Sequence, residues 1–138
     1  VVALGLFRLI KPYLARIDNI HCLEEYIYSK EIGVAGQVDC IAEYKGKLSV
    51  IDFKTSTKRR DEEYNYGNFL QCSAYAKMFE EMYPDKKIEQ TVVLATCESG
   101  EVQEWLHTED KIKEHQELFY KHTSDFLLRH KESLVEIA

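Results

Sequence analysis

The fold is decided by residues 36–56, which read GQVDCIAEYKGKLSVIDFKTS. Two runs rich in β-forming residues, 38–44 and 47–54, flank the dipeptide Lys45-Gly46. A lysine-glycine pair between two such runs predicts a β-hairpin with a two-residue turn. A three-residue loop with a glycine bulge is the alternative, and it would change the strand pairing locally.

Two carboxylates face each other across this predicted hairpin. Counting inward from a two-residue turn sets Tyr44 opposite Lys47 and Asp39 opposite Asp52. Directly opposed side chains have Cβ atoms about 4.5–5.5 Å apart, and like charges at that separation destabilise a sheet. A divalent cation between the acids would remove the conflict. Strand alternation puts Lys54 on the face of Asp52, so that two acids and a lysine converge.

The setting of these charges is apolar. The two strands contribute β-branched and aromatic neighbours, which are Val38, Ile41, Val50, Ile51 and Phe53. Such a strand pair is predicted to be buried on both faces, where an isolated charge is costly unless it is paired or binds a metal. The structural alternative is that these acids and the lysine are solvated residues that protect a sheet edge.

Three motifs in order carry a resemblance to a known family. They are Gly36-x-x-Asp39, then Asp52-x-Lys54-Thr55 with Asp52 thirteen residues after Asp39, then Gln71-x-x-x-Tyr75 on the next predicted helix. Together they resemble the PD-(D/E)XK nuclease superfamily in its RecB-like branch. The hairpin is similar to that of the mitochondrial genome maintenance exonuclease and related phage exonucleases. The resemblance extends from about residue 25 to the last predicted helix.

This resemblance implies an α/β fold, a single domain whose central mixed β-sheet is flanked by helices, as in the restriction-endonuclease-like core. It implies a metal-dependent DNA exonuclease that acts at single-stranded ends in DNA replication, repair or recombination. Asp39, Asp52 and the backbone carbonyl of Phe53 would hold Mg²⁺ or Mn²⁺, hard ions that prefer oxygen ligands. The alternative functions are a catalytically inactive DNA-binding module and a subunit of a recombination complex.

The resemblance also implies roles for three further side chains. Lys54 would position the attacking water or help to deprotonate it. Gln71 and Tyr75, which are four residues apart on one predicted helix, would orient the phosphate or the water. Without the resemblance, Tyr75 is interpreted as a core aromatic residue and Gln71 as its solvated neighbour.

The charge distribution places a basic segment after the hairpin. The net charge of the chain is −6, but residues 1–60 hold ten basic residues against seven acidic ones. The candidate substrate contacts are Thr55, Ser56, Lys58, Arg59 and Arg60 for a phosphate backbone, with Tyr64 and Tyr66 as stacking platforms for single-stranded DNA. The alternative is a solvated loop whose tyrosines cover the core.

Length and composition predict one domain over residues 1–138. With 138 residues, 45% of them hydrophobic, the chain can bury one core. It has no run of eighteen apolar residues, so that no membrane partner is expected. Because the sequence begins with valine, an upstream segment is predicted to be missing. RecB-like nucleases often carry a Gly-Thr-x-x-His motif there, and its histidine contributes to the metal site.

Two further features leave alternatives open or indicate a compartment. Either Glu24 or Glu25 corresponds to the glutamate that RecB-like proteins carry on the preceding strand. The four cysteines show no closely spaced pair of the kind that binds zinc or an iron-sulfur cluster. Buried reduced thiols are expected, which indicates an intracellular protein. The cytoplasm of a bacterium or a phage-infected cell is favoured, and the mitochondrial matrix also fits.

Hydrophobic periodicity and turn residues predict the element order α-β-β-β-α-β-β-α. The predicted helices are 3–17, 68–82 and 108–130, and the predicted strands are 22–29, 38–44, 47–54, 88–97 and a short one containing Val102, Trp105 and His107. This order predicts a mixed sheet with helices packed against it.

Overall fold

Three helices and five strands follow one another in the predicted order. The structure, a computed structural model, describes residues 2–129. The helices are α1 (Val2–Leu14), α2 (Tyr66–Met82) and α3 (Glu109–Arg129), and the strands are β1 (Ile17–Ser29), β2 (Val34–Tyr44), β3 (Lys47–Ser56), β4 (Gln90–Cys97) and β5 (Val102–Thr108). The predicted end of the last helix, at His130, lies outside the described residues. Within 2–129, no helix has the length and apolar composition needed to span a membrane.

The five strands form one mixed sheet in the order β1-β2-β3-β4-β5. The pairs β1/β2, β2/β3 and β4/β5 are antiparallel, whereas β3 and β4 are parallel. Parallel neighbours need a long crossover, and α2 provides it while packing on β1, β3 and β4. The prediction of a single α/β domain with a central mixed sheet flanked by helices is confirmed.

The hairpin between β2 and β3 closes with the predicted two-residue turn. Tyr44 pairs with Lys47 across it. Lys45 and Gly46 both have positive φ angles, +52° and +82°, as a type I′ turn requires. The alternative of a three-residue loop with a glycine bulge is therefore wrong.

Strand β2 loses its regular alternation at Asp39. Val38 and Ile41 are three residues apart, yet both lie in the core beneath α2, whereas Cys40 lies in the core on the opposite face. In β1, the register brings Glu24 opposite Asp39, and Glu24 has a φ of +49°. Such irregularities re-aim a side chain, as β-bulges do next to functional sites.

Each face of the sheet has its own core. Beneath α2, the strand residues Ile27, Val38, Ile41, Val50 and Val93 pack against Phe69, Cys72 and Phe79 of the helix. On the opposite face, Cys40, Tyr44, Ile51, Val92 and Leu94 pack with Ile10 and Tyr13 of α1 at their border. All four cysteines are buried and free, as predicted. Since Val50 faces α2, strand alternation turns Asp52 toward α2 as well.

The boundaries differ most between α1 and β1. The helix ends at Leu14 and the strand begins at Ile17, whereas periodicity predicts a helix to residue 17 and a strand from 22. The intervening strand segment is irregular, because Asn19 has a φ of +47° and the register with β2 shifts between Asp18 and Cys22. An exposed, irregular strand segment has no two-residue hydrophobic period by which it could be recognised.

Candidate active site

Asp39 and Asp52 meet where the hairpin ladder ends. Backbone pairing between β2 and β3 stops at Cys40 and Ile51. One step further, the Asp39 Oδ2 accepts a hydrogen bond of 2.9 Å from the Phe53 N–H. This contact takes the place of a backbone bond and holds the Asp39 carboxylate against β3. Together with burial, the Asp39 carboxyl group in this position raises the pKa of Asp52.

Asp52 is buried with little positive charge around it. The residue is 6% exposed, and its Oδ2 lies 3.3 Å from the Lys54 Nζ. In the described part of the chain that oxygen still accepts no well-aligned hydrogen bond. Burial, and then the hydrogen bond with Asp39, raise the pKa of Asp52 to about 7, although Lys54 acts in the opposite direction.

The oxygens of this site suit a hard divalent cation. Asp39 and the Oδ2 of Asp52, whose charge Lys54 offsets only in part, supply two carboxylate ligands. The N–H and C=O of one strand residue point to the same strand edge, so that the Phe53 carbonyl is directed to the side on which its N–H meets Asp39. Mg²⁺ and Mn²⁺ prefer such oxygens and keep water or phosphate at their other positions. Among residues 2–129, no third acid, histidine or cysteine joins the pair.

Helix α2 covers the acid pair with Tyr75. The Tyr75 ring is so close to Gly36 that a Cβ added there would lie 2.8 Å from Cε1 and 2.9 Å from the hydroxyl oxygen. The first position of the Gly36-x-x-Asp39 motif therefore requires glycine. Burial, and then the charges of Asp52, Cys72 and Asp39, raise the pKa of Tyr75. The phenol thus lies within electrostatic reach of both acids.

Gln71 and Tyr75 differ in burial although they are one helical turn apart. Tyr75 is buried against the sheet, whereas Gln71 is exposed and lines an open groove with Phe119 and His122 of α3. Within the described structure, Gln71 makes no hydrogen bond to the acid pair. The structure thus places the Tyr75 phenol in electrostatic range of the predicted metal ligands, whereas Gln71 lies on the exposed side of the helix.

Four of the predicted substrate residues line a polar cavity beside Lys54. They are Thr55, Ser56, Arg60 and Tyr64, and Lys54, Asn65, Asn68 and Ala95 complete the lining of a volume of about 310 Å³. The Arg60 guanidinium carbon lies 4.7 Å from the centre of the Tyr64 ring. We refer to this space as the Lys54–Arg60 cavity.

The other three predicted substrate residues lie outside that cavity. The backbone carbonyl of Lys58 accepts a hydrogen bond of 2.8 Å from the Ser56 Oγ. The Arg59 guanidinium forms an ion pair of 3.1 Å with Glu101. The Tyr66 ring packs edge-on against His115 of α3, with ring centres 5.5 Å apart. Tyr66 therefore contributes to the packing between α2 and α3.

Of the two glutamates in β1, neither makes a side-chain hydrogen bond to the acid pair in the described residues. Glu25 is exposed and pairs with Val38 in the ladder between β1 and β2. Glu24 is also exposed, and its carbonyl accepts a hydrogen bond of 3.1 Å from the Gln37 side chain. Glu24 instead lies opposite Asp39, and its positive φ accompanies the break in strand alternation there.

The sequence patterns missed Gln103 of β5. Its Oε1 accepts a hydrogen bond of 3.0 Å from the Arg60 N–H, and its Nε2 donates one of 2.6 Å to the Arg60 carbonyl. Gln103 is buried and so fixes the loop that follows β3. A polar glutamine between Val102 and Trp105 of a predicted strand is visible in the sequence. Its partner, 43 residues away, is not.

Comparison with known proteins gives a family and several relatives. A family model described as the PD-(D/E)XK nuclease superfamily matches residues 4–133. The proteins named Mitochondrial genome maintenance exonuclease 1 from Mus musculus and Homo sapiens are 40% and 35% identical to this chain over 72 residues. Each match covers 51% of this chain and 21% of the relative, so that the chain spans about a fifth of their length.

A solved structure supports the architecture. A crystal structure described as a "Putative exonuclease" from Eubacterium rectale superposes with a TM-score of 0.66 at 11% sequence identity. The superposition covers 96% of this chain and 53% of that chain. At this identity the similarity shows a common fold.

Proposed function

Since the chain belongs to the PD-(D/E)XK nuclease superfamily, we propose that it hydrolyses phosphodiester bonds in DNA with a divalent metal ion bound at the hairpin. One observation carries this proposal, namely that the buried Asp52 Oδ2 accepts no hydrogen bond from any described residue. A second acid, Asp39, adds to its negative charge, and one lysine partly offsets it. A buried charge left in this state is costly unless a ligand compensates for it.

Asp39, Asp52 and the Phe53 carbonyl would hold the ion, which we propose to be Mg²⁺ or Mn²⁺. When bound, the ion would supply positive charge to the phosphate and increase the acidity of water. The site is preorganised, because the Phe53 N–H donates a hydrogen bond of 2.9 Å to the Asp39 Oδ2 and so fixes that carboxylate. Asp52 is fixed by its position inside β3 and by burial beneath α2.

Lys54 lies on the open side of the acid pair. Its side chain is 40% exposed, and its ammonium stays 3.3 Å from the Asp52 Oδ2. From this position it can donate a hydrogen bond to a phosphate oxygen or hold the attacking water in line. Positive charge placed before the reaction starts stabilises the negative charge that develops on the phosphate.

Helix α2 completes the proposed site from above. The Tyr75 hydroxyl, held close to Gly36, would orient the phosphate or the water beside the acids. Gln71 lies on the exposed side of the helix, and we propose that it reaches only the bound strand. The two residues would then act at different distances from the reacting bond.

We further propose that the reaction is exonucleolytic and that single-stranded ends are the preferred substrate. The relatives that match half of this chain are named exonucleases. Tyr64 is 64% exposed and its ring lies beside Arg60, an arrangement typical of surfaces that bind single strands by stacking and charge. A role in DNA replication, repair or recombination and an intracellular location stay predictions.

End-labelled DNA gives the test of this proposed function. Linear single strands should be shortened in Mg²⁺ or Mn²⁺ and left intact in EDTA, whereas closed circular single strands should resist cleavage because they have no ends. Duplexes of the same sequence compare the strand forms. Cleaved circles would contradict the exonuclease proposal, and binding without cleavage in any metal would favour an inactive DNA-binding module.

Lys54→Ala links the activity to this site. The variant should cleave about 10²–10⁴-fold more slowly, since a group that positions or deprotonates the nucleophile contributes on this scale. Its circular dichroism and thermal unfolding should match those of the wild type. Lys77→Ala is the matched control, because Lys77 lies on α2 and pairs with Glu31 at 3.6 Å. Full activity of Lys54→Ala would contradict the assignment.

A further inference from the structure

Among the described residues, the lining of the Lys54–Arg60 cavity holds cationic and neutral polar groups but no acid. Lys54 and Arg60 are its charged lining residues, and the others are hydroxyl, amide or apolar. The neighbouring cavity next to Val102 and Trp105 shares Arg60 but also includes Glu104 and two other acids. The Lys54–Arg60 cavity is therefore suited to an anion.

Arg60 is held in the cavity by its backbone. Gln103 bonds both the N–H and the carbonyl of Arg60, at 3.0 and 2.6 Å. The guanidinium lies over the Tyr64 ring at 4.7 Å, and its Nε is buried without an acceptor in the described residues. Its neighbour Arg59 is paired with Glu101 at 3.1 Å. Arg60 thus has a fixed backbone and a guanidinium whose Nε is unpaired among the described residues.

We propose that this cavity binds a second phosphate of the substrate strand, next to the one that is cleaved, and that Arg60 is its principal contact. The inference rests on the proposed function and adds a subsite to it. Lys54 is common to the cavity and the acid pair, since its ammonium lies 3.3 Å from Asp52. A strand whose scissile phosphate lies at the acids would therefore place a neighbouring phosphate beside Arg60.

The groups of the cavity match phosphate chemistry. A guanidinium presents a planar fork of donors that fits two phosphate oxygens, and it remains charged at all relevant pH values. Thr55 is exposed at the rim and adds a hydroxyl donor. The amides of Asn65 and Asn68 bond each other at 3.2 Å, so that they form a neutral wall. Gln103 is a positioning residue, because it acts through Arg60.

DNA binding in EDTA tests the cavity without any cleavage. Anisotropy of a labelled single strand, measured over a range of salt concentrations, gives the slope of log K against log salt. Arg60→Gln should reduce this slope by about 0.7, the value for one phosphate contact on a single strand. Arg59→Gln, which removes the same charge one residue away, should change it by less than half as much. Equal changes in both variants would overturn the proposal in favour of a diffuse basic surface.

Single neutral linkages locate the phosphate. Methylphosphonates placed one at a time along the strand should weaken binding to the wild type at several linkages. In Arg60→Gln, one of these penalties should disappear while the others remain. An unchanged set of penalties would overturn the proposal. Strands that end in a phosphate monoester and strands that end in a hydroxyl identify the source of the phosphate. If Arg60→Gln removes the difference in affinity between these two strands, the cavity binds a terminal phosphate. If it removes the penalty of an internal methylphosphonate instead, the cavity binds an internal diester, and either result supports the proposal.

The two proposals can fail separately. A wild type that binds DNA with the Arg60-dependent slope but cleaves in no metal would refute the nuclease function and retain the phosphate subsite. A wild type that cleaves normally while Arg60→Gln shows the wild-type slope and penalties would refute the subsite alone. Unfolding curves of both arginine variants should coincide with that of the wild type, because the bonds from Gln103 go to the backbone of Arg60.

Discussion

The two faces of the sheet hold a half-buried acid, Glu104, and a buried one, Asp52, in opposite ways. On the face of α1, Glu104 accepts a hydrogen bond from the Tyr44 hydroxyl and pairs with Arg16 at 2.7 Å and Lys45 at 3.3 Å. Burial alone would raise the pKa of Glu104, but these partners hold it below its ordinary value. On the face of α2, burial and a neighbouring acid raise the pKa of Asp52.

The difference lies in the balance of charge. Glu104 meets two cations and a phenol, whereas Asp39 and Asp52 share Lys54. The first arrangement stabilises the fold, and the second leaves a negative charge that a bound cation would neutralise. Acids with strongly raised pKa values, such as Asp52, cluster at functional sites, because there a bound ligand offsets the free energy lost by burying their charge.

In the comparison of the two faces, removing the charge of Asp52 should have the largest effect. Asp52→Asn keeps the shape of the side chain but supplies no anionic ligand, so that cleavage should fall by about 10²–10³-fold, the scale of losing one preorganised electrostatic group. In EDTA the variant should be more stable than the wild type, because it removes a buried like charge. Thermal unfolding with and without Mn²⁺ provides the measurement. A stabilisation by Mn²⁺ that is equal in both proteins would contradict the assignment.

In EDTA, the contributions of Asp52 and Glu104 to the free energy of unfolding should change with pH in opposite directions. The pKa of Asp52 is about 7 in the folded chain against an ordinary 3.8. The folded state therefore binds more protons between these values, and the contribution of Asp52 to the free energy of unfolding falls as the pH rises through this window. Glu104 has a lowered pKa, so that its contribution is present above the ordinary value of 4.5 and is lost as the pH falls.

Differences between wild type and variant isolate these contributions. Urea unfolding from about pH 3 to 8 should show the wild type losing about 2–4 kcal/mol relative to Asp52→Asn as the pH rises. Relative to Glu104→Gln, the wild type should gain stability as the pH rises through the acidic end of the range. Burial lowers the pKa values of His107 in β5 and His115 in α3, and because both histidines are present in every protein compared, their contributions cancel in the two differences. If the stability difference between wild type and variant changed with pH in the same direction for Asp52→Asn and Glu104→Gln, the proposed contrast between the two acids would be refuted.

Glu104→Gln should lower stability without changing cleavage. Hydrogen bonds to a charged group contribute about 1.5–3 kcal/mol, and partial exposure of Arg16 and Lys45 places the expected loss at the lower end. The urea midpoint measures it. Glu101→Gln is the control, because its exposed pair with Arg59 should contribute less than about 1 kcal/mol. A slower nuclease after Glu104→Gln would show that the two faces are not independent.

The two tyrosines on opposite faces should give the smallest effects. Tyr44→Phe removes a donor to the Glu104 carboxylate and should cost about 1–2 kcal/mol of stability while cleavage is retained. Tyr75→Phe should change stability by less than about 0.5 kcal/mol, because in the described residues its hydroxyl makes no hydrogen bond, but it should slow cleavage. Urea midpoints and initial rates distinguish these outcomes. An unchanged rate in Tyr75→Phe would remove Tyr75 from the proposed site.

Local patterns were sufficient to predict the hairpin and the meeting of its charged side chains. A turn of two residues fixes the register of Tyr44 and Lys47, and counting from it places Asp39 and Asp52 at the same end of the ladder. Strand alternation then brings Lys54 to Asp52. These relations span few residues and follow from backbone geometry alone. The order of the elements could be predicted for the same reason.

Contacts between distant segments could not be predicted in this way. The approach of Tyr75 to Gly36 and the bonds from Gln103 to Arg60 join residues about 40 positions apart. Neither leaves a periodic signal, since each depends on how α2 and β5 pack on the sheet. The alternation break at Asp39 is also invisible, because a regular strand is the default interpretation of alternating residues.

The short hairpin also determines when the acids meet during folding. A two-residue turn brings Asp39 and Asp52 together through a local loop, and hairpins of this kind form in about 1–10 μs. The parallel pairing of β3 with β4 joins residues 41 positions apart, such as Val50 and Thr91, and non-local pairings form more slowly. The repulsion between the carboxylates therefore acts on the earliest part of the sheet. A divalent ion present while the chain folds would act on the folding rate as well as on the stability of the final state.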